Sequence, residues 1–121
     1  MNARNIQIFH DTALRLLRRG ALRNLSKMLI KAHAADVAQV IRMLVSERDK
    51  QQLFTLLQET KAKAAVLQVL DVPNALLLLE GVDPKHVVEM FREMPPDVVT
   101  DIVGHLSEEK SEDLLKLMEP Q

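Results

Sequence analysis

The sequence predicts an all-α protein, a right-handed superhelix (α-solenoid) of short helices with a repeat of roughly 12 residues. The first observation is an apolar pattern from His33 to Met118 that recurs in seven twelve-residue units. The second is that helix-start residues such as Ser46 and Asp83 fall at unit boundaries. A helix of about ten residues is too short to be stable alone, so each must bury its apolar face against its neighbours.

Each unit has apolar residues at its eighth, ninth and twelfth positions, which share one face of a helix. The units are 33–44, 46–57, 59–70, 71–82, 83–94, 95–106 and 107–118. The apolar positions are Val40, Ile41, Leu44, Leu53, Phe54, Leu57, Val66, Leu67, Leu70, Leu78, Leu79, Val82, Met90, Phe91, Met94, Ile102, Val103, Leu106, Leu114, Leu115 and Met118.

Two helices are predicted before the repeat, over residues 4–19 and about 21–31, with Gly20 as the stop between them. Residues 1–32 carry seven bases and the single acid Asp11, whereas the whole chain has a net charge of −1. The chain is therefore basic at its start and acidic later. We expect residues 1–32 to form a basic helical segment that packs on a superhelix formed by residues 33–121.

The composition favours a non-catalytic, cytoplasmic domain. There is no cysteine, and the three glycines are isolated, so neither a thiolate site nor a glycine-rich phosphate loop is predicted and we expect no enzyme activity. No apolar run approaches the length of about 18 residues that crosses a bilayer, so we expect no membrane insertion of this segment. The basic strip near the start lacks interleaved aromatic residues, which argues against nucleic-acid binding.

The sixth unit carries the candidate metal ligands. Asp97 and Asp101 lie four residues apart, which makes them neighbours on one helix face, and His105 continues the line. This face lies opposite the apolar positions, so we expect it to meet water. Mg²⁺ binds hard oxygen ligands and keeps several waters, so one or two carboxylates can hold it. An ordinary solvated acidic face remains the alternative on spacing alone.

The chain resembles the cytoplasmic N-domain of MgtE-type magnesium transporters over roughly residues 20–120. The resemblance is carried by His33-Ala34-Ala35-Asp36-Val37-Ala38 and by Met94-Pro95-Pro96-Asp97-Val98-Val99-Thr100-Asp101-Ile102-Val103. It implies a superhelix that precedes a pair of CBS domains and a transmembrane pore. It also implies that acidic residues of the N-domain and the CBS domains hold Mg²⁺ between them and keep the pore closed.

The resemblance assigns Asp97 and Asp101 to the family's acidic pair. A further family glutamate should lie near the third unit, where this chain has Ala62-Lys63-Ala64-Ala65 and only Glu59 nearby, so the ligand set is incomplete. We therefore expect a magnesium-responsive regulatory domain at the inner face of the cell membrane, binding Mg²⁺ weakly with a partner domain. A homodimer is expected for the full-length protein because transporters of this family are dimers. The alternative is an ion-independent protein-interaction solenoid resembling the flagellar rotor protein FliG.

Overall fold

The computed structural model describes residues 2–118, and every regular element among them is a helix. The all-α prediction is confirmed. The helices are α1 Ala3–Arg19, α2 Leu22–Ile30, α3 Ala34–Met43, α4 Glu47–Thr55, α5 Thr60–Val69, α6 Val72–Leu79, α7 Pro84–Arg92, α8 Pro96–Val103 and α9 Glu108–Met118.

The predicted unit boundaries coincide with the helix starts. Each of the seven units contains one helix, and in α3–α8 the first residue of the unit is the N-cap. The Ser46 hydroxyl accepts a hydrogen bond from the Asp49 N–H at 3.3 Å. The Asp83 carboxylate accepts one from the Lys85 N–H at 2.9 Å. These bonds satisfy N–H groups that the first helical turn leaves free, which is why local chemistry fixes the starts.

The helices pack in two rows, because each repeat helix contacts the helix two places further along. One row runs α1, α3, α5, α7 and α9, and the other runs α4, α6 and α8. Two consecutive twelve-residue units therefore make one structural repeat of two helices. This arrangement is the solenoid-like stack that the period predicts, with the added feature that sequence neighbours lie in opposite rows.

The core consists of the predicted apolar positions. Of the twenty-one positions, Leu115 alone is classed as exposed, and the others are buried or half-buried. Leu115 is 51% exposed because α9 ends its row among the described residues, packed against α7 on one side. Phe54 of α4 and Met90 of α7 are almost completely buried, one in each row.

The N-terminal helices cover one end of this core. Phe9, Ala13 and Leu17 of α1 are buried, and α1 packs against α2, α3 and α4. Gly20 ends α1 with a φ of 70°, a left-handed conformation that favours glycine. The Ala21 N–H then donates to a carbonyl of the last turn of α1 at 2.9 Å, which turns the chain into α2.

An ion pair joins α1 to the start of α4. Arg18 donates from both terminal nitrogens to the two carboxylate oxygens of Asp49, at 2.9 and 2.8 Å. The Asp49 side chain is only 7% exposed, so this bidentate pair forms at the edge of the core rather than in open water. The hydrogen bond and the charge of Asp49 raise the pKa of Arg18. The contact fixes how the basic segment sits on the repeat.

We expect the Arg18–Asp49 pair to be energetically coupled. Arg18→Ala leaves a nearly buried carboxylate without its partner, so Tm should fall by several degrees. The double variant, Arg18→Ala with Asp49→Asn, should show a smaller fall in Tm than the sum of the two single falls, because the second change removes the unpaired charge. Thermal unfolding of all four proteins measures this, with Arg19→Ala as the neighbouring control. Strict additivity would show that the two side chains do not cooperate.

Asp71, the N-cap of α6, gives a pH-dependent prediction. Burial of Asp71 opposes ionisation, but hydrogen bonds from the Asn74 side chain and N–H outweigh it, so its pKa lies below the usual 3.8. The cap therefore gives its full stabilisation above pH 3.8. This stabilisation is lost as the pH falls through the lower pKa that Asp71 has in the folded protein. Asp71→Ala should cost about 1 kcal/mol in the free energy of unfolding near neutral pH.

Chemical denaturation at neutral and acidic pH measures the Asp71 effect. The difference in the free energy of unfolding between the wild type and Asp71→Ala should become smaller at acidic pH. Asp71→Asn is the control, since asparagine caps a helix without titrating and should keep its stability near neutral pH. A difference that stays constant over the whole pH range would contradict the assignment of the cap to the ionised carboxylate.

Candidate magnesium site

The candidate ligands lie on α8. Pro95 is the N-cap and Pro96 the first helical residue, where the fixed φ of proline suits a helix start. Ile102 is buried against the core, whereas Asp97 and Asp101 are exposed. The structure thus places both carboxylates in water, on one face of one helix. Their Cβ atoms are about 5–6 Å apart by helix geometry.

The two carboxylates stand beside a groove between three helices. The groove has a volume of about 370 Å³, and its walls come from the end of α5, the start of α6 and the side of α8 that carries Asp97, Val98, Asp101 and Ile102. Gln68 of α5 and Leu70, the C-cap of that helix, share this lining with Asp97 and Asp101. Sequence spacing could not identify these neighbours, since they meet α8 only after α5 and α6 have packed.

His105 is held by the backbone of the same segment. Its Nδ1 lies 2.8 Å from the carbonyl oxygen of Asp101. A carbonyl oxygen only accepts, so Nδ1 donates and carries the hydrogen. The imidazole therefore supports the end of α8 and does not bond to either carboxylate through this nitrogen. The Thr100 hydroxyl likewise donates to the Pro96 carbonyl oxygen at 2.8 Å.

The carboxylate pair lacks a basic partner within the described residues. The ion pairs found in residues 2–118 involve other acids, and neither Asp97 nor Asp101 belongs to one. Like charges four residues apart on a helix destabilise it by a few tenths of a kcal/mol. A divalent cation would relieve that repulsion. Residues 2–118 contain no group of three or more His, Cys, Asp or Glu side chains placed to hold a metal.

The third unit does not complete the ligand set. Glu59 is the N-cap of α5 and lines a different groove, which it shares with Ser26 and Leu29. The structure therefore does not bring Glu59 together with the α8 carboxylates.

Lys63 of the same unit belongs to a separate polar chain between α5 and α7. It donates to His86 Nε2 at 3.2 Å, and His86 Nδ1 in turn lies 3.1 Å from a Glu89 carboxylate oxygen. Burial lowers the pKa of Lys63. The third unit thus contributes a basic side chain, Lys63, to the interface between α5 and α7.

Comparison with known proteins identifies the family. In residues 2–118, none of the helices combines the length and the apolar character needed to cross a membrane. No curated protein matches the chain. A family model described as the MgtE intracellular N domain matches residues 32–121, about three-quarters of the sequence. The match begins at the turn before α3 and leaves α1 and α2 outside it. The chain belongs to the MgtE intracellular N domain family.

Proposed function

We propose that this domain is the magnesium-responsive, non-catalytic regulatory part of an MgtE-type transporter and works on the cytoplasmic side of the membrane. The observation that carries the proposal is the pair of exposed carboxylates of Asp97 and Asp101 beside one groove, which form no ion pair within residues 2–118. The family match supports the regulatory role. The proposed partners are the CBS domains and the transmembrane domain of the same transporter, which we expect to be a dimer.

Mg²⁺ would act by changing which of two states is populated. Without the ion, the α8 carboxylates and an acidic partner surface repel each other, and the two domains stay apart. With the ion bound between them, the repulsion becomes attraction and the compact state, with the pore closed, is favoured. A ligand shifts such an equilibrium only through its different affinities for the two states. Here the difference arises because only the compact state offers a full set of oxygen ligands.

The isolated domain should therefore bind Mg²⁺ weakly. Asp97 and Asp101 supply at most two of about six oxygen positions, and water would fill the rest. The remaining protein ligands belong to the partner. This division makes the site sensitive to the ion only when both domains are present, which suits a sensor of high intracellular Mg²⁺.

An ion-independent interaction solenoid is the second candidate. The incomplete ligand set within residues 2–118 favours it, because a pure docking surface needs no metal. In that case the groove between α5, α6 and α8 would bind its partner equally well with and without Mg²⁺. The two candidates therefore differ in one measurable property, the effect of Mg²⁺ on partner binding.

We expect Mg²⁺ to strengthen binding of the chain to a CBS-domain pair from an MgtE-type transporter. The double variant Asp97→Asn with Asp101→Asn should lose about tenfold or more of that Mg²⁺-dependent affinity, which corresponds to about 1.4 kcal/mol. Isothermal titration with and without millimolar Mg²⁺ measures the effect. The matched control is Glu108→Gln with Glu112→Gln, a pair of exposed acids with the same spacing on α9.

Three outcomes would overturn the ligand assignment. One is tight Mg²⁺ binding by the isolated chain that the aspartate double variant leaves unchanged. Another is an equal loss of Mg²⁺-dependent affinity in the aspartate variant and in the glutamate control, which would indicate an effect of net charge rather than a specific site. The third is partner binding that is independent of Mg²⁺, which would support the interaction solenoid.

A further inference from the structure

The two N-terminal helices carry an exposed basic surface that the proposed magnesium response does not use. We call it the α1–α2 basic surface, and all of its side chains are exposed. It consists of Arg4, Ile8, Arg15 and Arg19 on α1, Arg23, Lys27 and Ile30 on α2, and Lys31 at the C-cap of α2. Arg18 is not part of it, since Asp49 holds that guanidinium. The surface lies outside the part of the chain that matches the family.

The spacing and the grooves show that these residues form one continuous surface. The α1 members are separated by four, seven and four residues, which keeps them in one stripe along the helix. Ile8 lines a groove between α1 and α2 together with Lys31. Ile30 lines the next groove together with Arg23 and Lys27. The two stripes therefore meet at the end of α2, where Ile30 and Lys31 are adjacent.

Two large aliphatic side chains stand among the bases. Ile8 is 55% exposed and Ile30 is 71% exposed, although α1 and α2 bury their other large apolar residues wholly or in part. Asp11 is the single acid of α1 and α2, and it is hydrogen-bonded by His10 and Gln7, each at 2.9 Å. Glu59 of the neighbouring turn lines a groove together with Ile30. The surface thus combines strong positive charge with two protruding apolar groups.

This combination discriminates between the polyanions that a basic surface attracts. Proteins hold single-stranded nucleic acid with basic side chains and with aromatic side chains on which the nucleobases stack. Phe9 is the single aromatic residue of these helices, and it is buried. An anionic bilayer needs a different set, with bases at the level of the headgroups and aliphatic or aromatic groups that reach the acyl boundary. The α1–α2 basic surface supplies that set.

We propose that the α1–α2 basic surface docks on a bilayer of anionic lipids, with the six bases at the headgroups and Ile8 and Ile30 in the interface. In this proposal the domain lies on the membrane, and no helix of residues 2–118 is long and apolar enough to cross it. The bound domain would present its far end, with α8 and its carboxylates, away from the lipid. The inference does not depend on Mg²⁺ binding, so the two proposals can fail separately.

Co-sedimentation with vesicles tests the charge requirement. The chain should bind vesicles of phosphatidylglycerol and phosphatidylcholine in equal parts, should not bind pure phosphatidylcholine, and should be released by salt. Each base near such a surface contributes about fivefold to partitioning, so Arg23→Glu with Lys27→Glu should lower binding about 25-fold or more. The matched control is Lys61→Glu with Lys85→Glu, which makes the same change in net charge on exposed bases of α5 and α7.

A tryptophan reporter tests the apolar requirement. The protein has no Trp or Tyr, so a single introduced Trp reports on its own surroundings. Ile30→Trp should shift its emission to shorter wavelength when the anionic vesicles are added. Leu115→Trp is the control, because Leu115 is similarly exposed but lies on α9 at the other end of the stack. Circular dichroism of each variant checks that the helices are intact.

Several results would overturn the proposal. Equal binding to both vesicle types, or equal losses in the two charge-reversal variants, would rule out specific docking by this surface. An unchanged Ile30→Trp emission on bound vesicles would show that the isoleucines stay in water. A shift that appears with rising protein concentration and without vesicles would assign the surface to a second copy of the chain. Binding to single-stranded DNA but not to vesicles would assign it to nucleic acid.

Discussion

The structure depends on a constraint that follows from helix length. The repeat helices have eight to eleven residues, and helices this short are marginal in water on their own. Each is stable because it buries two or three apolar side chains of its unit against the helix two places along. The same constraint decides what remains free. On α8, burial of Ile102 leaves Asp97 and Asp101 exposed to water, so the packing of the core also determines where the candidate ligands lie.

The local features of the fold could be predicted because short-range chemistry determines them. Ser46 and Asp83 cap helices with their own side chains, and the repeated apolar positions mark the buried faces whatever their partners are. The two-row packing could not be predicted, because a period in the sequence shows which face is buried and not which helix buries it. The Arg18–Asp49 pair was missed for the same reason, since its members are 31 residues apart. The exposure of Leu115 depends on the end of a row, which the pattern does not contain.

For the candidate site too, the sequence predicted the local features and not those that depend on tertiary packing. The i,i+4 spacing of Asp97 and Asp101 and the family resemblance identified two exposed carboxylates on one helix. The groove beside them belongs to three helices, and its walls required tertiary packing. The sequence extended the acidic line to His105, but the Nδ1 atom of that residue is engaged by a backbone carbonyl. Glu59 was the nearest acid in its unit, yet it lines another groove, because proximity along the chain differs from proximity in a solenoid.

The solenoid also turns an uneven charge distribution in the sequence into two separate charged ends. Because each helix contacts only nearby helices, bases at the start of the chain stay far from acids near its end. From α1 to α8 there are three packing steps, through α4 and α6. At about 8–10 Å per helix pair these steps span up to roughly 24–30 Å. Charges in salt solution are screened over about 8 Å at physiological ionic strength. A cation at α8 therefore leaves the attraction of α1 and α2 for a polyanion almost unchanged. Any coupling between the two ends must therefore pass through the packed helices between them.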